Sequence, residues 1–208
     1  MKKNYQKQMD AVVAALPEGA RPRLLLHSCC GPCSSYVLEA LTPHFQVTVL
    51  YYNPNIQPRE EYDLRLANQR KIIAALPTPS AVEILECDYD GAAYDEAVRG
   101  LENEPEGGRR CTVCFRLRLE ETARLAAERG FDWFCTTLTV SPHKDAERLN
   151  QIGAALGERY GVRYLPSDFK KREGYKRSIQ LSKEYDLYRQ EYCGCLFSKP
   201  VDKSESIV

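Results

Sequence analysis

Seven of the chain's nine cysteines fall in three tight clusters: Cys29-Cys30-Gly31-Pro32-Cys33, Cys111-Thr112-Val113-Cys114 and Cys193-Gly194-Cys195. Cysteine used as small apolar filler would be scattered. Thiols one to three positions apart, repeated at three distant places, suit a soft metal or a thiol redox couple. Cys111 and Cys114 stand at the start of an expected helix, where both project the same way and the helix dipole favours thiolate. With Cys29 and Cys30 they make four thiolates, enough for a [4Fe–4S] cluster or a tetrahedral zinc. Vicinal cysteines crowd one small ion but suit a cluster, whose irons sit several bond lengths apart. Cys33 is either a spare ligand or a small residue in a first helical turn. Cys193 and Cys195, one residue apart across a glycine, are either a redox dithiol that closes into a strained, easily reduced ring or further ligands. Cys87 and Cys135 stand alone and read as buried small hydrophobes. His27 is either a packed, hydrogen-bonded histidine or a group near the metal, and His143 reads as structural.

The elements that must position these residues alternate. Met1 to Leu16 predicts a helix, followed by strands at Leu24–Leu26, Val47–Tyr52, Val82–Leu85, Asp132–Leu138 and Val162–Leu165. Helices are expected at Ser34–Leu41, Glu60–Leu76, Thr112–Arg129, after His143, and at Lys176–Tyr188. Such alternation predicts one α/β domain over residues 1–208: a doubly wound, mostly parallel, Rossmann-like five-stranded sheet. Residues 1–22 form an N-terminal helix and linker, and 196–208 a polar tail. Ligands of such sheets bind beyond the carboxyl ends of the strands. Cys29, Cys30 and Cys33 follow the first strand, Asn53 and Asn55 the second, Cys87 and Asp88 the third. Thr136 and Thr137 end the fourth, and Asp168 follows the fifth. One edge of the sheet collects the chemistry.

Lys plus Arg and Asp plus Glu both total 29, so no global field directs the protein to a partner. Locally the balance breaks. Residues 81–106 hold nine acids against Arg99, whereas residues 163–177 hold six basic residues against Asp168 and Glu173. Tyr164, Phe169 and Tyr175 interleave that basic stretch. The early apolar run, Ala11–Leu16, is too short for a membrane span or signal peptide, so the thiols are expected in a reducing cytosol, without a membrane. Neither G-x-x-x-x-G-K-[ST] nor a G-x-G-x-x-G after a strand occurs, so neither ATP nor a dinucleotide has its usual cradle.

The motifs resemble those of the QueH-type epoxyqueuosine reductases. The resemblance rests on His27-Ser28-Cys29-Cys30-Gly31-Pro32-Cys33, on Tyr52 to Pro58 with Glu61-Tyr62, and on Arg110-Cys111 to Cys114-Phe115-Arg116. It continues through Thr136-Thr137-Leu138, Ser141-Pro142-His143-Lys144-Asp145 and Gly174 to Ser178, and closes on Tyr188 to Cys195. It implies a cobalamin-independent iron–sulfur enzyme of the last step of queuosine synthesis, reducing the epoxide of epoxyqueuosine to the alkene in the tRNA anticodon loop. It assigns the [4Fe–4S] ligands to Cys29, Cys30, Cys111 and Cys114 and a redox pair to Cys193 and Cys195. It also implies an additional iron beside the cluster, held in part by thiolate and carboxylate, and an electron donor the sequence does not identify. Asp88 and Asp168, at strand ends, are the candidate acids for the departing oxygen. Lys170, Lys171, Arg172, Tyr175, Lys176 and Arg177 are the expected grip on the anticodon stem–loop, with aromatic faces for splayed bases.

Two rivals remain. A tRNA sulfur transferase of the ATP-pyrophosphatase type would share the sheet but needs a Gly- and Ser-rich phosphate loop where this chain has Cys29 to Cys33. A zinc-stabilised RNA-binding protein would be colourless, whereas an iron–sulfur protein is brown.

Overall fold

The sheet is built around its most apolar strand. In β1 (Arg23–His27), Leu24, Leu25 and Leu26 are fully buried, and the strand lies between β2 (Gln46–Tyr51) and β4 (Trp133–Thr136). Burial on both faces is why this stretch reads as an unbroken apolar run rather than an alternating one. β3 (Glu83–Glu86) and β5 (Arg163–Tyr164) form the edges, giving the order β3-β2-β1-β4-β5 with every neighbouring pair parallel. The computed structural model describes residues 3–199. Met1 and Lys2 of the expected first helix, and the expected tail from residue 200 onward, lie outside the described residues.

The helices are α1 (Tyr5–Ala14), α2 (Gly31–Leu41), α3 (Arg59–Ala75), α4 (Gly91–Ala97), α5 (Arg109–Glu128), α6 (Ala146–Tyr160) and α7 (Gly174–Glu184). The chain runs outward from β1 through α2 and α3, then returns through α4 and α5 to the other side of β1. Right-handed crossovers in opposite directions put their helices on opposite faces. Accordingly α2 packs on α3 and α7, while α5 packs on α6, β1 and β4. The switch point lies between β1 and β4, where the crevice of such a sheet opens. None of the helices among the described residues is long and apolar enough to cross a membrane.

Several elements differ from expectation, some for a visible local reason. The fourth strand stops at Thr136, whose hydroxyl accepts a hydrogen bond from the Leu138 backbone at 3.1 Å and turns the chain into a 3-10 helix, Thr137–Val140. α2 begins at Gly31, because the Cys30 sulfur accepts from the Cys33 backbone at 3.4 Å and caps the helix. α4 was not expected; Asp90 caps it by accepting from Ala93 N at 3.0 Å. α7 ends at Glu184, and Asp186 then takes a left-handed conformation, φ 46°.

Candidate active site

The turn after β1 is built by close approach. A Cβ at Gly31 would lie 2.6 Å from the Asn68 carbonyl oxygen of α3, so only glycine lets α2 start there. Gln69 of α3 fastens the turn, its Oε1 accepting from Ser28 Oγ at 2.7 Å and Ser34 Oγ at 3.0 Å. His27 ties three strand ends: Nδ1 lies 3.0 Å from Thr136 Oγ1 and Nε2 3.2 Å from the Tyr52 carbonyl. Because the Tyr52 carbonyl can only accept, Nε2 carries the ring proton, and the Thr136 hydroxyl donates to Nδ1. Burial, aided by the Arg118 charge, pulls the imidazole down to about 3. His27 is a neutral structural tie.

On this turn the sulfurs of Cys29, Cys30 and Cys33 lie within 4.8 Å of one another, a group able to hold a metal ion. Cys29 and Cys30 Sγ are 3.7 Å apart. Hydrogen bonds from Cys30 and Cys33 favour a thiolate at Cys29, whereas burial pushes Cys30 up to about 12 and the link to Cys29 raises Cys33. The group therefore admits one negative charge readily and resists a second. A bound cation removes that resistance, since metal ligation deprotonates thiols outright. The donor set thus fits a soft, thiolate-bound metal centre.

Cys111 and Cys114 are not in that group of three. Both lie on the first turn and a half of α5, beyond a loop that wraps the helix start. Arg110 fixes this loop through the carbonyls of Leu101, Glu102 and Glu104. Arg148 holds it from α6, reaching the Gly107 carbonyl at 2.7 Å and Thr112 Oγ1 at 3.0 Å. Gly107 N donates to Cys111 Sγ at 3.2 Å, and burial raises Cys114 to about 12. Cys114 shares a small apolar cluster with Cys195, Tyr94 and Val98.

The Cys193-Gly194-Cys195 loop sits against both thiol pairs. Lys144 Nζ donates to Cys193 Sγ at 3.3 Å, and Gln190 Nε2 donates to Cys30 Sγ at 3.2 Å. Both thiols are free, and Cys195 Sγ points to Ser198 Oγ at 3.4 Å. Arg65, 1% exposed, clamps the loop: Nη1 and Nη2 donate to the carbonyls of Cys193 and Tyr192, each at 3.1 Å. Its Nε pairs with Glu61 at 2.6 Å, and Tyr188 donates to the same carboxylate. Gly194 adopts φ +129°, a conformation reserved for glycine.

Two connected cavities open here. A narrow one of about 50 Å³ is lined by Cys29, Cys33, Arg118, Lys144, Gln190 and Cys193 among others. A wider one of about 530 Å³ shares Cys33, Lys144, Gln190 and Cys193, and adds Tyr175, His143, Arg189 and Tyr192 at its walls. The other expected residues are placed differently. Asp88 is exposed, and Asp168 is buried with an ion pair to Lys170 at 2.8 Å; neither lines these cavities. Of the basic stretch, Arg172 pairs with Asp10, Lys176 with Glu173 and Arg177 with Glu39. Tyr164 and Phe169 are core residues, so neither offers a face to a base. The sequence reading missed Arg65, Arg118, Lys144 and Gln190. The last two lie inside the quoted motifs, and Arg118 sits one helical turn beyond Cys114.

Comparison with known proteins gives one consistent result. The sequence model of a family described as epoxyqueuosine reductase QueH matches residues 24–200. An epoxyqueuosine reductase QueH of Streptococcus pyogenes serotype M1 is 46% identical over 198 residues, covering 94% of this chain and 78% of that protein. Its counterpart in Staphylococcus epidermidis is 42% identical over 94% of this chain and 84% of its own length. Thermotoga maritima has one that is 35% identical over 84% of this chain and 89% of that protein. Among solved structures, the U34-tRNA thiolase NcsA of Methanococcus maripaludis, described with its [4Fe-4S] cluster, superposes with TM-score 0.53 at 11% identity, covering 94% of this chain and 67% of that one. At that identity the likeness concerns the fold alone.

Proposed function

Since the chain belongs to the QueH family of epoxyqueuosine reductases, we propose that it reduces epoxyqueuosine in tRNA to queuosine on the thiol-lined crevice between β1 and β4. The observation that carries this reading is the group of buried Cys29 and Cys30 with half-buried Cys33 at the switch point, where Cys33 lines a cavity of about 530 Å³. Reduction of an epoxide to an alkene takes two electrons and two protons and releases the oxygen as water. A [4Fe–4S] cluster held by Cys29, Cys30, Cys111 and Cys114 would supply electrons singly at low potential. The proposed role of Cys33, whose sulfur lies beside the first two, is a nearby thiol that can ligate in addition, including to the further iron the family resemblance implies.

The chain's own residues divide the remaining work. Cys193 and Cys195 act as the dithiol, passing two electrons on and closing to a disulfide that an external donor reopens. Gln190 joins this loop to Cys30, which keeps dithiol and metal centre in one unit. The walls of the wide cavity, with Tyr175, Arg189 and Tyr192, receive the modified nucleoside. The stretch from Lys170 to Arg177 contacts the RNA backbone; Lys171 is exposed and unpaired among the described residues, which supports that role for it. Nine free thiols suit the reducing cytosol as its place of work.

The experiment is anaerobic reconstitution with iron and sulfide. Broad visible absorption, stoichiometric iron and sulfide, and mass-spectrometric conversion of epoxyqueuosine to queuosine in tRNA are expected. A colourless zinc protein inert toward the epoxide would overturn the reading.

A further inference from the structure

Removing an epoxide oxygen requires a place for that oxygen and a proton source beside it. The narrow cavity, lined by Cys29, Cys33 and Cys193, provides the first. At about 50 Å³ it admits one or two water-sized oxygens. Its lining holds two cations, Arg118 and Lys144, and no carboxylate. Arg118 is 1% exposed; its Nε donates to the Cys114 carbonyl at 3.2 Å, and its Nη2 has no hydrogen-bond partner in the protein. A buried guanidinium nitrogen without a partner is rare and destabilising, and marks a position meant for an acceptor. Lys144, half-buried on the turn leading into α6, points its Nζ at Cys193 Sγ and lines the narrow and the wide cavity alike.

We infer that Lys144 and Arg118 receive the epoxide oxygen: Arg118 Nη2 holds it by hydrogen bond, and Lys144 Nζ protonates it. This rests on the epoxide-reductase reading above. Arginine does not release its proton, so it can only hold charge. Of the thiols in the lining, Cys29 and Cys33 are given to the metal centre and Cys193 to the dithiol, and Gln190 and Ser141 are neutral donors too weak to act as acids. His143, Glu106 and Glu191 line only the wide cavity and are exposed. The proton comes from Lys144. The first C–O bond breaks as one proton passes from Nζ to the oxygen, leaving a hydroxyl on the neighbouring carbon. Lys144 is recharged from solvent through the wide cavity and protonates the hydroxyl. The second C–O bond then breaks, water leaves, and the two carbons share the alkene pair. The two electrons are those the family's reduction already consumes, delivered from the metal centre and the Cys193 and Cys195 thiols.

The test uses reconstituted full-length Lys144→Ala and Arg118→Lys with epoxyqueuosine-containing tRNA. Lys144→Ala is expected to keep its iron, visible spectrum and tRNA affinity while single-turnover conversion falls about 10²- to 10⁴-fold, the range for a lost general acid. Millimolar methylammonium, small enough for the space left by the side chain, restores part of that rate. Lys144→Arg keeps the charge but stays slow. Arg118→Lys, which retains a buried cation, is expected to slow conversion about 10²-fold, as for one lost oxyanion donor. Conversion at the wild-type rate in Lys144→Ala, loss of iron in that variant, or failure of methylammonium to restore any activity would each overturn the assignment. A wild-type protein inert toward the epoxide would overturn the reductase reading and this inference together, whereas an active wild type with a fully active Lys144→Ala removes the lysine alone.

Discussion

The first and last cysteine clusters are held in opposite ways. The Cys29–Cys33 turn is made by regular structure: β1 delivers it, Ser28 N bonds the Leu50 carbonyl at 3.0 Å, and α2 begins on Cys30. The Cys193–Cys195 loop has no helix or strand of its own. It hangs on three isolated ties to the β2–α3 region: the Arg65 fork, Tyr192 Oη on the Gln57 carbonyl at 2.6 Å, and one main-chain bond from Gln57 N to the Gly194 carbonyl at 2.9 Å. Backbone-set geometry suits ligands that must keep fixed positions. A loop fixed by a few isolated ties can shift when its thiols form or break a bond. The difference matches the proposed division between a metal-holding region and a redox-cycling one.

The sharpest test of that separation is a pair of substitutions. Cys30→Ala should lose its iron and visible absorption, while Cys193→Ser should keep both and stop after one turnover. Iron and sulfide assays with multiple-turnover kinetics check this; iron loss in Cys193→Ser would make the last loop a ligand and erase the contrast.

Next in size is the clamp. Arg65→Ala leaves Glu61 and two loop carbonyls without their buried partner, a change expected to cost about 3–5 kcal/mol in urea denaturation. Cys193 should also react faster with thiol reagents than Cys30 does in the same variant. Equal acceleration at both sites would show that one structure holds them together.

Smaller effects come from the two glycines. In Gly31→Ala the new methyl meets backbone, at 2.6 Å from the Asn68 oxygen, so α2 and α3 must separate and metal binding should weaken. In Gly194→Ala the nearest atoms, at 3.0–3.2 Å, are side-chain atoms of Ile56, Arg65 and Asn55, and the strain lies in the backbone, about 1–3 kcal/mol. Iron content should fall in the first variant and dithiol turnover in the second. The reverse pattern would contradict the division of roles.

The smallest effect concerns RNA. Lys170 and Arg172 already pair with Asp168 and Asp10, so the Lys170→Ala, Lys171→Ala, Arg172→Ala triple variant should lower the salt dependence of tRNA binding by about one phosphate contact rather than three. Salt titration of the dissociation constant measures this. An unchanged slope moves the RNA grip elsewhere.

What the sequence made legible follows the same line. The strand exits, the parallel order and the Cys29–Cys33 turn were readable because they are encoded within a few residues: an apolar run, a glycine, then helix-forming positions. The clamp was not. Arg65 and Cys193 are 128 residues apart, and no local pattern announces that a helix-surface arginine will be sealed beneath a distant loop. For the same reason no local pattern showed that Asp168 at a strand end pairs with Lys170, or that Lys144 in a solvent-looking turn lines the thiol cavity. The basic stretch misled in a third way: its composition revealed the charges but not the carboxylates that meet them, nor the burial of Tyr164 and Phe169.

The hydrogen bond from Gln190 to Cys30, spanning 160 residues, bears on how the protein is made. Synthesis runs from the N-terminus, so the first thiol turn and its supporting sheet emerge long before the segment that closes over them. During that interval Cys30 and Cys33 lack the cover that Gln190 later gives them. The late-arriving loop then acts as the closing piece, sealing the mouth only after the sheet and its helices have left the ribosome.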